Sequence, residues 1–171
     1  MKYFITSPSQ LGFEIVIAMI SAASEAVSYE ITHTPTDKSL DPINTTLIIL
    51  KTTDVFKRAC SQVVSELNGP AGSVNIDDFV MRCNWQSTYQ SEVDTTGYNQ
   101  VVELIYDEYV LNPSIIYTAL GLTAPVPPVV VPPAVLNVAE YDYSMITNYD
   151  ELVTAYAEGQ STGFINGFEL L

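Results

Sequence analysis

Residues 124–136, APVPPVVVPPAVL, set the first limit on what this chain can fold into. Proline has no amide hydrogen and holds φ near −65°, so Pro125, Pro127, Pro128, Pro132 and Pro133 bar a helix interior or a central strand here. The segment favours polyproline II and, fully extended, reaches on the order of 40 Å. A flexible linker is normally polar, whereas this one holds five valines and a leucine and no charge, glycine or serine. A P-x-x-P match at Pro125 and Pro128 lacks the basic flank that such ligands usually carry. The remaining reading is an extended arm whose valines pack on its own body or on a neighbour. The expected organisation is an α+β body over 1–122, the Pro-rich arm over 123–136, and an acidic C-terminal docking segment with one short helix over 137–171.

Within the body, KYFIT (2–6) is aromatic and β-branched and predicts a strand. In SPSQ (7–10), Ser7 and Gln10 form a capping box with Pro8 in the first turn, which predicts a helix from there to about Ala26. VSYEITHT (27–34) alternates and predicts a half-buried strand, and TLIILK (46–51) is a continuous apolar run that predicts a central one. Thr53 or Asp54 caps a helix with Val55, Phe56, Ala59, Val63 and Leu67 on one side, closed by Asn68-Gly69-Pro70. A further strand or short helix is expected in VNIDDFVMRCNW, a loop over 86–97, a helix over 98–111, and a helical turn or two in SIIYTALG. Asn148 caps a last helix that Gly159 or Gly163 ends, and Asn166-Gly167 carries a hairpin signal. The opening order of strand, helix, strand, strand, helix predicts a two-layer α+β sandwich with added helices.

The charge is one-sided along the chain. Lys2, Lys38, Lys51, Lys57, Arg58 and Arg82 are all the bases of a chain of net charge −14. Up to residue 82 nine acids face these six bases, giving −3; from residue 83 onward there are eleven acids and no base, giving −11. Such a field repels nucleic acid and anionic lipid and attracts basic surfaces, and six scattered bases form no phosphate-tracking stripe. With only 15% of residues charged, the surface must use Thr, Ser, Asn, Gln and Tyr, a composition suited to packing against neighbours. No run of eighteen apolar residues predicts a membrane span; Pro8, Gln10 and Glu14 likewise interrupt any secretory signal around 15–23. Cys60 and Cys83 are too few for a disulfide framework and, set among apolar residues, read as buried thiols.

The chemical motifs fail on context. The chain has one histidine, His33, which reads as a solvated residue at a strand end. GQSTG (159–163) matches the nucleophile elbow, but a helix precedes it and no histidine follows Ser161. DTTG (94–97) has one residue too many for an aspartic-protease turn, and NGPAGS (68–73) has no lysine for a phosphate loop. Asp77-Asp78 and the acids Glu103, Asp107 and Glu108 match no calcium-loop spacing. No catalytic residue, metal or cofactor is expected. Glu103 and Asp107, four apart on the predicted helix, repel one another and would welcome a basic partner.

The expected function is therefore a non-enzymatic structural or assembly protein of the kind found in virus or phage particles, in the virion or the host cytoplasm. It would bind neighbouring subunits, as homo-oligomer or with a protein partner, through Pro125, Val126, Pro128, Val130, Pro132, Tyr141, Tyr143, Phe164 and Phe168, with Glu103 and Asp107 as an acidic contact. The alternative is an acidic module that occupies the basic surface of a nucleic-acid-handling protein, without touching nucleic acid or membrane itself.

Overall fold

In chain order the elements are β1 (Lys2–Thr6), α1 (Phe13–Ala23), β2 (Ser28–Thr32), β3 (Thr45–Lys51), α2 (Val55–Leu67), α3 (Ile76–Glu92), β4 (Gln100–Ile105), α4 (Tyr106–Tyr109), α5 (Ile115–Leu120) and α6 (Tyr149–Ser161). The structure, a computed structural model, describes residues 1–8, 12–23, 27–67, 70–126 and 143–165. The chain is α+β, as its sequence led one to expect. It divides into two units: Met1–Thr53 with the described part of Tyr89–Val138, and Asp54–Thr88 with the described part of Ala139–Leu171.

The first unit is built on a four-stranded sheet of order β2-β1-β3-β4 in which every pairing is parallel. The apolar runs explain the centre: alternate residues point to opposite faces, and a strand buried on both must be apolar throughout. Tyr3, Ile5, Ile48, Leu50 and Leu104 form one face, which is covered by Ile15, Val16, Met19 and Ile20 of α1 and by Ile116, Tyr117 and Leu120 of α5. Phe4, Leu47 and Ile49 form the other, packed against Val93 and Tyr98. Gly121 ends α5 in the left-handed conformation, with the Leu122 amide donating to the Tyr117 carbonyl at 2.8 Å, a C-terminal cap that glycine allows.

The second unit gathers α2, α3 up to Thr88, and the C-terminal segment. Asp54 caps α2 through Oδ1, which accepts from the Lys57 amide at 2.9 Å, and Asn75 caps α3 in the same way through the Asp78 amide at 3.0 Å. Val55, Ala59, Val63, Phe79 and Cys83 share one core with Ile146, Leu152 and Ile165. The Phe56 ring lies 5.5 Å from that of Phe79, 5.8 Å from Tyr149 and 5.1 Å from Tyr156. Gly72 and Ile146 form a parallel bridge. Beside it Asn148 clamps Val74 from both sides: its Oδ1 accepts from the Val74 amide at 2.9 Å and its Nδ2 donates to the Val74 carbonyl at 2.8 Å.

Several local expectations are corrected. The stretch 98–111 is a strand followed by a single helical turn, because β-branched Val101, Val102 and Ile105 pair with β3 over six residues. Residues 86–92, expected in a loop, continue α3; buried Gln86 belongs to its inward side, donating from Nε2 to Gln62 Oε1 at 2.8 Å, and polarity alone misread it. The Ser7 amide donates to the Thr32 carbonyl at 3.3 Å, prolonging the ladder of β1 with β2, and α1 begins at Phe13, after Gly12 at φ 61°; Gln10 of the expected capping box lies outside the described residues. Asn148 precedes α6 but makes no side-chain cap to it, its amide being spent on Val74. The Asn166-Gly167 signal lies outside the described residues.

Candidate functional site

The strand β2 is where the sheet is least finished. All-parallel sheets are normally covered on both faces, and edge strands present unpaired backbone groups that other chains can use. Here Ser28, Tyr29, Glu30 and Ile31 are all exposed, with Tyr29 at 47% and Ile31 at 36%. The Ser28 amide donates to Met1 and the Thr32 carbonyl accepts from Ser7, so Ser28, Glu30 and Thr32 turn their backbone groups toward β1. Alternation then aims the N–H and C=O of Tyr29 and Ile31 outward, where no described strand meets them.

Side chains alternate across the same strand. Tyr29 and Ile31 stand beside Tyr3 and Ile5, on the face that α1 covers further in. Glu30 stands beside Phe4 on the opposite face, where Phe4, Glu30, Ile31, Thr32, Asp37 and Lys38 line a shallow hollow of about 470 Å³. Its electrostatics are acidic. Lys38 is held by Asp94 at 2.7 Å, and neighbouring Lys2 by Asp41 at 3.2 Å. Asp37 accepts a hydroxyl proton from Thr32 at 2.6 Å, and among the described residues neither Asp37 nor Glu30 has an ion-pair partner. The Lys38 ammonium and the Thr96 amide hold the Asp94 carboxyl down to about 2.

The residues named from sequence fall in different places. Glu103 lies on β4, where Lys51 Nζ donates to Oε2 at 2.5 Å and Gln90 donates to Oε1. Asp107 lies in α4, and its Oδ2 accepts from Thr52 Oγ1 at 2.9 Å, the Thr53 amide at 3.0 Å and Thr53 Oγ1 at 3.1 Å. They share no helix, so the repulsion expected between them has no basis, and both carboxylates are already engaged within their unit. Tyr143 stacks on Tyr149 with ring centres 5.9 Å apart, and Phe164 is 52% exposed. Val126 is exposed and Pro125 half-buried, while Pro128, Val130, Pro132, Tyr141 and Phe168 lie outside the described residues. Sequence reading missed Tyr29, Glu30 and Ile31 as a surface. The signal was a carboxylate in the middle of a short alternating strand, which suits an edge better than a half-buried position.

His33 is exposed, donates from Nδ1 to the Ser7 carbonyl at 2.9 Å and meets the Phe13 ring edge-on. Ser161 ends α6 with its hydroxyl on the Glu158 carbonyl. Asp94 turns the DTTG stretch by accepting from the Thr96 amide at 2.8 Å. Cys60 and Cys83 are free and fully buried. Among the described residues no three His, Cys, Asp or Glu side chains gather to hold a metal ion, and no helix is long and apolar enough to cross a membrane. No protein-family model, curated protein or solved structure matches the chain.

Proposed function

We propose that the protein is a non-enzymatic assembly component that works by binding other protein surfaces, as a subunit of a virus or phage particle does. The observation that carries this reading is the β2 edge, whose outward backbone groups meet no described strand and whose Tyr29 and Ile31 side chains are exposed. Tyrosine suits such a role because it offers a large rigid contact with a polar tip. The low charged fraction, 15%, favours the same reading. The arm and the C-terminal segment are further contacts in this proposal, with Val126 and Phe164 the exposed apolar residues at its described ends.

The test is isolation of the tagged full chain from the cells that produce it, followed by sizing. A stoichiometric complex is expected, lost in Tyr29→Glu and kept in Val153→Glu, a substitution of a comparably exposed apolar residue on α6. A strict monomer in both preparations would end the assembly reading.

A further inference from the structure

We infer that the outer edge of β2, which no described strand meets, receives an extended strand from a basic protein, in which arginine or lysine alternates with apolar residues. The inference rests on the protein-binding reading above and names the chemistry of the partner. Strand addition requires outward backbone groups, which Tyr29 and Ile31 supply, and specificity comes from the alternating side chains. An added strand also alternates. One set of its side chains meets Tyr29 and Ile31, where apolar groups gain contact. The other set meets Glu30 and the hollow floored by Phe4, where Glu30 and Asp37 have no ion-pair partner among the described residues and Lys2 and Lys38 are already taken by Asp41 and Asp94. A long basic side chain fits there: its aliphatic stem covers Phe4 and its head reaches the carboxylates.

A second copy of this chain suits the edge poorly. Antiparallel pairing of β2 with itself about its centre sets Glu30 directly opposite Glu30, and like charges in facing positions destabilise a sheet. Two molecules of net charge −14 also repel on approach.

The experiment uses the full chain and a fluorescent, end-blocked peptide of sequence TVRVRVT, titrated by anisotropy at low and high salt. Three changes are made in parallel: TVEVEVT as peptide, TVRVRVT N-methylated at its five central amides, and Glu30→Lys in the protein. Saturable binding is expected that weakens with salt, disappears with the acidic and the N-methylated peptides, and falls about tenfold in Glu30→Lys. Glu30 is exposed, and an unchanged urea midpoint shows that its variant is folded. Equal binding of the acidic peptide, or indifference to N-methylation, overturns the inference. So does a dimer of the chain, seen by sedimentation, that Tyr29→Glu dissolves. Failure of the peptide while the cellular complex still depends on Tyr29 sinks the partner chemistry and leaves the assembly reading standing.

Discussion

Two polar contacts hold more of this molecule than their size suggests. The Thr6 and Tyr89 hydroxyls meet at 2.5 Å, both residues buried, and tie the end of β1 to the last turn of α3. Burial pushes the Tyr89 phenol above its ordinary range, so it stays a neutral hydroxyl at physiological pH. Tyr89→Phe keeps the ring and strands the Thr6 hydroxyl, which is expected to cost about 1–3 kcal/mol in urea unfolding. The Asn148 amide satisfies both backbone groups of Val74, and Asn148→Ala is expected to cost about 1–3 kcal/mol, with Asn148→Asp recovering only the amide half of the pair. Burial raises the Cys60 and Cys83 thiols from 9.0 to about 12. Neither thiol should react with an aromatic disulfide at pH 8 until the chain is unfolded. A group with a raised folded-state pKa protects the native state below its unfolded value. The contribution of these thiols is therefore whole below pH 9 and is lost as pH climbs toward about 12.

At the scale of elements, β4 is the strongest test of the fold. If 98–111 were helical, Val101 and Val102 would share its buried side with Ile105 and Tyr109. As a strand, β4 buries Leu104 and exposes Val101. Leu104→Ala is expected to cost about 2–5 kcal/mol, and Val101→Ala to stay within about 0.5 kcal/mol, both read from urea midpoints. The connection from β2 to β3 is pinned by Lys38 to Asp94 and by the Ser39 amide to the Tyr98 hydroxyl at 2.8 Å. The folded Asp94 carboxyl titrates at about 2, below its ordinary 3.8. Its stabilising effect is whole above that ordinary value and fades as pH falls toward about 2. Lys38→Met should flatten this acid limb of the stability profile. The edge strand β2 belongs to the same scale: its central carboxylate disfavours self-pairing, and its outward backbone groups meet no described strand.

Across the whole molecule, the second unit needs two distant stretches of chain. Ile146, Leu152 and Ile165 are fully buried in the core of α2 and α3, and the Phe56 ring is flanked by Tyr149 and Tyr156. Truncation after residue 122 removes all of them. Amide exchange is then expected to accelerate throughout Val55–Leu67 while β1 and β3 keep their protection; uniform protection in the truncated chain would contradict the shared core. Part of this was readable beforehand. KYFIT and TLIILK declare strands, Asp54 declares a cap and the two cysteines declare burial, because such signals act between residues a few positions apart. The one-sided charge was readable as well, yet its meaning was not. Lys51 pairs with Glu103 and Lys38 with Asp94, so bases of the first part neutralise acids of the second. Alternation alone made VSYEITHT a half-buried strand and could not say whether a further strand or helix would cover it. What the chain by itself determined was the set of segments able to bury apolar surface and the scarcity of positive charge. The tertiary structure decided which strands are neighbours and that SYEIT and QVVELI stand at the two edges of the described sheet. Sheet pairing and burial join residues dozens of positions apart, and no local preference encodes which strands end at an edge.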